Sequence, residues 1–202
     1  MTDLGKTPHR LAPVLIVVLA AFSVAGVLHS TRAGIAQCLH RRARSIEAPE
    51  RRLSFLRLSH ALYPHDYYCC ERAARAALAA GHAAQSYEES ATWREQAEQW
   101  CDRGLAVNPR MWELNKMKID FLWRRAPREA VRHWEAYTDW AFWHPDNHAV
   151  LATQYASVGE FEKAERALLL AKGSSMYKRA KRMVAEAKVA FSAGGAGREA
   201  GK

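Results

Sequence analysis

Glycine and proline are scarce in this sequence, and no long stretch alternates apolar with polar residues. Eleven glycines and seven prolines stand among 202 residues, whereas alanine is abundant. Because alternation of period two marks a half-buried strand, its absence argues against a β-sheet domain. Many alanines and few helix breakers favour helix. The sequence therefore predicts an all-α chain.

Catalytic and metal-binding motifs are also lacking. Four cysteines occur, at Cys38, Cys69, Cys70 and Cys101, and none forms a C-x-x-C pair. No glycine-rich phosphate loop, G-x-S-x-G or H-E-x-x-H is present. His60, His65 and the two adjacent cysteines have metal-ligand residue types, but small cysteines packed between helices explain them as well. We predict no enzyme, no metal and no cofactor, in a chain without a disulfide framework.

The positive charge of the chain is concentrated outside its middle. The formal charge is +9. Segment 29–60 has seven arginines against two glutamates, segment 172–202 has eight basic residues against two acidic, and segment 61–171 has 13 basic and 16 acidic residues. A nucleic-acid-binding protein more often has a basic stripe on its folded body, whereas basic flanks suit an anionic membrane. We expect no nucleic-acid partner.

A continuous apolar segment, residues 11–28, follows the N-terminal tail 1–10. It has 18 residues and no charge. A helix of that length spans about 27 Å, close to the hydrocarbon thickness of a bilayer. The segment predicts a single-pass helix surrounded by lipid. Two alternatives stay open: a signal peptide cleaved before Gly26, and a helix buried in the core.

Residues 29–46 are predicted to form a basic linker helix after the membrane. Four arginines, Arg32, Arg41, Arg42 and Arg44, follow the apolar segment, against Lys6 and Arg10 before it. By the positive-inside rule this difference tips the orientation slightly toward a cytoplasmic domain. The opposite side of the membrane is the alternative.

Spaced prolines divide the remaining chain into short helices. Proline disfavours helix before it and donates no backbone hydrogen bond. Apolar residues recur at helical spacing between Pro64, Pro109, Pro127 and Pro145. We predict helices at 31–46, 48–62, 66–80, 87–106, 111–124, 128–142, 147–157, 160–172 and 175–191. The last is amphipathic and either caps the helical stack or lies on a membrane surface. A helical repeat domain is placed at 47–191 and a disordered tail at 192–202.

The segment HAVLATQYASVGEFEKAERALLLA, which begins at His148, resembles a tetratricopeptide repeat. The matching residues are Leu151, Tyr155, Gly159, Ala164, Leu168 and Ala171. His148 and Met176 depart from the usual Trp and Pro. A second match runs from Ala97 to Pro109, the family's 12-residue step from its helix-contact Ala to its Pro. The resemblance implies a tetratricopeptide-like solenoid of helical hairpins.

What the resemblance implies about function is a scaffold or adaptor that binds other proteins or peptides in a membrane assembly. A periplasmic helper for cell-envelope or polysaccharide assembly or export is the alternative. Five tryptophans fall between Trp112 and Trp143, more than two thin helices comfortably bury. We hypothesise that some line a partner-binding groove, with an arginine for charge-assisted contacts. The candidate residues are Trp123, Trp134, Tyr137, Trp140, Trp143 and Arg128; thick core packing is the alternative.

Overall fold

The computed structural model describes residues 11–199, and within this range it has nine α-helices and no strand. The helices are α1 (Leu11–Arg44), α2 (Pro49–Leu62), α3 (Tyr67–Ala83), α4 (Tyr87–Val107), α5 (Trp112–Arg125), α6 (Pro127–Trp140), α7 (Pro145–Ser157), α8 (Phe161–Leu170) and α9 (Tyr177–Glu199). The all-α prediction is confirmed. The predicted tail 1–10 lies outside the described residues. Two compact units meet in sequence at Val107 and Asn108, so the predicted domain 47–191 is divided between them.

Helix α1 runs without a break from the apolar segment into the first helical hairpin. From Pro13 onward it is long and apolar enough to cross a membrane, and 0% of its apolar 18-residue window is buried. Farther along, Ala36 and Ala43 are buried, and the Ser59 hydroxyl of α2 donates to the Ala36 carbonyl at 2.8 Å. Residues 29–46 are therefore not a separate linker, because small residues on α1 let α2 pack against it.

Alanine packs helices α3 and α4 closely together in the first unit. Ala73, Ala77 and Ala80 of α3 are buried, as are Ala97 and Cys101 of α4. Removing side-chain bulk from both surfaces lets the helix axes approach. The helix start is also specified locally, since the Asp66 carboxylate accepts from the Cys69 amide at 3.0 Å.

The core of the second unit is built where α6 packs on its neighbours in the chain. Proline stands at the first position of both α6 and α7, where its missing N–H is not needed. Helix α6 buries Val131, Trp134 and Tyr137, and these side chains share a hydrophobic cluster with Leu151 of α7. The predicted helix boundaries at the prolines therefore agree with those of the structure.

The α7–α8 hairpin contains the residues of the repeat-like segment. Leu151 and Tyr155 of α7 are buried, as are Ala164 and Ala171, and Leu168 is partly buried. Gly159 turns the chain with φ of +84°, a conformation that costs an L-residue about 1–2 kcal/mol. The Tyr155 hydroxyl donates to Glu135 of α6 at 2.6 Å, and burial together with this carboxylate raises the pKa of Tyr155.

Helix α9 packs on α7 and α8 and extends farther than predicted. Ala180 and Val184 are buried, and the Phe191 ring meets the Phe161 ring edge-on, with centroids 5.3 Å apart. The helix continues to Glu199, past Ser192, from which a disordered tail was predicted; that tail remains a prediction. Three of the eight residues 192–199 are glycines, which disfavour helix, so helix propensity does not explain this continuation. Residues 200–202 lie outside the described residues.

Candidate partner-binding site

Two of the six candidate residues lie in the core of the second unit. Trp134 has 0% of its surface exposed, and its indole N–H donates to the Asn147 carbonyl at 3.0 Å. Tyr137 is buried beside it, with ring centroids 4.9 Å apart. Trp134 is thus no partner anchor, because the face of α6 that carries it is covered by neighbouring helices. The Tyr137 ring also lies beside the ring of Trp140, with centroids 5.8 Å apart.

Three large rings stand exposed between α6 and α7, and we call Trp140, Phe142 and Trp143 the aromatic turn. Their exposed fractions are 38%, 66% and 62%. Trp143 contacts both of the others edge-on, with centroids 5.6 Å from Trp140 and 5.4 Å from Phe142. Edge-to-face contact at this distance is favourable for aromatic rings. The rings therefore form one apolar surface rather than three scattered side chains.

Polar side chains from the start of α7 hold the backbone of the aromatic turn. The Asn147 side-chain amide donates to the Ala141 carbonyl at 3.0 Å. His148 Nε2 lies 2.7 Å from the Phe142 carbonyl oxygen. Both side chains are buried. Because these buried side chains hold the backbone of the turn, little conformational entropy is lost when a partner binds its rings.

A groove of about 420 Å³ adjoins the aromatic turn. Its lining includes Trp112, Tyr137, Trp140, Trp143, His144 and Asp146. The Arg110 guanidinium stacks over the Trp140 ring, 4.9 Å from its centroid. The Trp112 indole nitrogen is buried without a hydrogen-bond partner among the described residues. A buried donor without a partner costs free energy.

Trp123 belongs to a different groove, of about 340 Å³, between α5, α7 and α9. Apolar walls come from Ile119, Trp123, Val150, Met176 and Met183, with Lys116, Asp120 and Arg179 at the same surface. Burial raises the pKa of Asp120. The two grooves share no lining residue. The candidate tryptophans are therefore divided between two grooves. The methionines of the second groove come from the start of α9 and the residue before it, far from Trp123 in sequence.

Arg128 is not brought to either aromatic surface. It is exposed near the start of α6, beside Pro127, Glu129 and Arg132. Trp140 ends the same helix twelve residues later, which is about 18 Å along the axis. Because Arg128 and Trp140 belong to one helix that keeps them apart, the charge-assisted contacts to a partner predicted for Arg128 would lie away from the exposed rings.

The cluster with metal-ligand residue types contains two buried thiols, those of Cys69 and Cys70. Burial raises the pKa of Cys69 to about 11 and that of Cys70 to about 12. Cys70 Sγ lies 3.6 Å from His60 Nδ1, and burial lowers the pKa of that imidazole. A thiol that stays protonated is a poor nucleophile. Within residues 11–199, no group of three or more His, Cys, Asp or Glu side chains is placed to hold a metal ion.

Comparison with known proteins identifies the fold. No protein-family model matches the sequence, and none of the curated proteins matches it. Among solved structures, TTC0263, a thermophilic TPR protein in Thermus thermophilus, aligns with a TM-score of 0.57 and 18% identity over 85% of this chain and 94% of that chain. The MamA RS-1 ArsTM double mutant aligns with a TM-score of 0.52 and 15% identity over 79% and 96%.

The chain has a tetratricopeptide-like fold. This confirms the resemblance carried by the α7–α8 hairpin. At identities of 18% and 15%, these alignments show the arrangement of helices alone, and function has to be inferred from the surfaces of this chain.

Proposed function

We propose that this chain is a membrane-anchored scaffold of tetratricopeptide-like fold that binds a partner protein or peptide at the aromatic turn. The observation that carries the proposal is the exposure of Trp140, Phe142 and Trp143 on a backbone held by buried side chains. Tryptophan anchors dominate the free energy of many protein interfaces. Rings already fixed in place lose little entropy when a partner covers them.

The groove beside the turn supports a peptide-like partner. Trp112 and Trp140 have cationic side chains over their rings, Lys116 and Arg110, at 4.9 Å in each case. Arg110, stacked on the Trp140 ring that lines this groove, favours a partner with a carboxylate or carbonyl group near its apolar anchor. Lys116 lies at the surface of the other groove.

Helix α1 supplies the proposed anchor. Its apolar half is uncovered by the rest of the chain, and a helix satisfies its own backbone groups in lipid. The arginines that follow the apolar segment favour the cytoplasmic side for the helical units. Reporter fusions at the C-terminus test this orientation, and a reporter active only outside the cytoplasm would reverse it.

Site-specific photo-crosslinking in native membranes tests the partner surface. A photoreactive residue replaces Trp143 in one variant and Leu169 of α8 in a matched control, since both side chains are 62% exposed. We expect a discrete protein adduct from position 143 and none from position 169. The adduct should weaken when Trp140→Ala is added, because truncating an anchor costs about 2 kcal/mol of binding free energy.

Two outcomes would contradict this assignment. A ladder of adducts at the same intensity from both positions would mean that position 143 is merely exposed. A discrete adduct from a photoreactive residue at Met183, with none from position 143, would place the partner in the groove between α5, α7 and α9. Thermal unfolding of Trp140→Ala should change little, since that ring is 38% exposed.

A further inference from the structure

The turn between α2 and α3 lies beside the point where the apolar segment of α1 ends. Leu28 is the last residue of that segment, and His29 follows it in the same helix. The His29 ring contacts the Tyr63 ring edge-on, with centroids 5.7 Å apart. Tyr63 in turn contacts His65, with centroids 6.1 Å apart. Tyr63 thus lies beside the first residue after the apolar segment, and His65 packs on Tyr63.

The direction of α2 explains this placement. Ser59 bonds to the Ala36 carbonyl of α1, whereas Tyr63, one turn later, contacts His29. Helix α2 therefore runs back along α1 toward its apolar end. Asp66 then lies 3.2 Å from His40, so the chain moves away again as α3 begins. The α2–α3 turn therefore lies beside the end of the apolar segment of α1.

Depth in a bilayer follows from helix geometry. The headgroup layer on each side of the hydrocarbon core is about 5–7 Å thick. A helix rises about 1.5 Å per residue, so with Leu28 at the hydrocarbon edge, the headgroup layer covers roughly the next four residues. His29 and Arg32 both fall within that distance. The Tyr63 ring, with its centroid 5.7 Å from that of His29, then lies within about one headgroup-layer thickness of that depth.

We propose that the α2–α3 turn docks on the lipid headgroups beneath the first hairpin, through Tyr63, Pro64 and His65 with Arg32 of α1. This inference rests on the proposed membrane anchor. Pro64, His65 and Arg32 are exposed, and Tyr63 is partly exposed. A tyrosine ring suits the boundary between hydrocarbon and water, and an arginine there binds lipid phosphate. Because α1 has no break, the docked turn fixes the first unit upright on the membrane.

Depth-dependent fluorescence quenching tests this contact on the full chain. The variants carry Cys38→Ser to remove the exposed cysteine, since Cys69, Cys70 and Cys101 are buried. An environment-sensitive dye is attached at His65→Cys, and at Pro64→Cys as a second position on the same turn. Tyr87→Cys is the matched control, because it is exposed and α3, 17 residues long, separates it from the turn by about 25 Å. The protein is reconstituted in vesicles of phosphatidylcholine and phosphatidylglycerol.

Lipids that carry a quencher on the headgroup should quench the dye at 64 and 65 at least threefold more than at 87. A separate variant, Leu19→Cys, tests the anchor alone, because a dye there should be quenched by lipids with the quencher deep in the acyl chain. If the dye at 19 is quenched but those at 64 and 65 behave like that at 87, the anchor stands and the docking turn is overturned. If the dye at 19 is not quenched by the deep probe, the proposed anchor itself fails.

Discussion

The contact between Gly159 and Phe191 offers a test of how α9 packs. Gly159 stands between α7 and α8 with φ of +84°, and a Cβ placed on it would lie 3.0 Å from Cε1 of Phe191. Gly173 follows α8 with a similar φ of +93°, but nothing lies within 4 Å of its Cβ position. The two glycines therefore share a backbone conformation and differ in their surroundings. Changing each to alanine separates backbone strain from packing.

The expected destabilisation follows from these two contributions. A left-handed φ costs an alanine about 1–2 kcal/mol, and this applies to both positions. A Cβ at 3.0 Å requires Phe191 to move, which adds a further cost near the lower end of the roughly 1–3 kcal/mol seen for overpacking, because that ring is half exposed. Gly159→Ala should therefore lower the free energy of unfolding by about 1 kcal/mol more than Gly173→Ala does.

Urea unfolding of the full chain in detergent, followed by tryptophan fluorescence, measures this difference. For a small unit the free energy changes by about 1–3 kcal/mol per molar urea. The midpoint for Gly159→Ala should then fall roughly 0.3–1 M below that for Gly173→Ala. Adding Phe191→Ala to both variants should bring their midpoints together, because the obstructing ring is gone.

Equal losses at the two glycines would refute the reasoning. In that case Phe191 would not lie against the α7–α8 turn, and the end of α9 would not be docked. A midpoint difference that survives Phe191→Ala would equally exclude this ring as the cause.

Three further predictions concern the core, the thiols and the anchor. Leu151→Ala should lower the unfolding free energy by about 2–5 kcal/mol, and an unchanged thermal midpoint would contradict the burial of that α7 position. Burial raises the pKa of Cys70 to about 12, so the folded state keeps a thiol proton that the unfolded chain loses at lower pH. The free energy of unfolding should therefore decline as the pH rises above about 9. Alkylation at about pH 8 should modify Cys38 long before Cys70, and equal alkylation rates would contradict the burial of Cys70. Deleting residues 1–30 should release the protein from carbonate-washed membranes, whereas a soluble native chain that begins near Gly26 would favour the signal peptide.

Most of the helix boundaries could be predicted because they depend on local chemistry. Pro127 and Pro145 begin helices whose first N–H needs no partner. Gly159 takes a positive φ that other residues avoid. These effects act within a few residues of each boundary, so the sequence shows them directly. The end of α9 could not be read this way, because the three glycines between Ser192 and Arg198 disfavour helix and the helix nevertheless continues to Glu199.

The candidate site was harder to predict, because helical spacing groups residues without deciding which face is covered. Trp134 and Trp140 are six residues apart on α6, which places them about 120° apart around the helix. Both fit one broad aromatic stripe. Only the packed neighbours show that Trp134 is fully buried and that Trp140 is exposed beside Trp143. Trp123 lies apart from both, because residues of α5, α7 and α9 form the groove that it lines.

The sequence by itself determined most of the secondary structure, the apolar segment that ends at Leu28, and the small residues at helix contacts. These features depend on helix propensity, proline placement and charge, which act over short distances along the chain. Only the tertiary structure decided that α1 continues into the first hairpin, that His29 meets Tyr63, and that the aromatic surface divides into two. These features arise where helices distant in the chain compete to cover the same apolar side chains. Burial against a neighbouring helix stabilises one face of each helix and leaves the other for solvent, lipid or a partner.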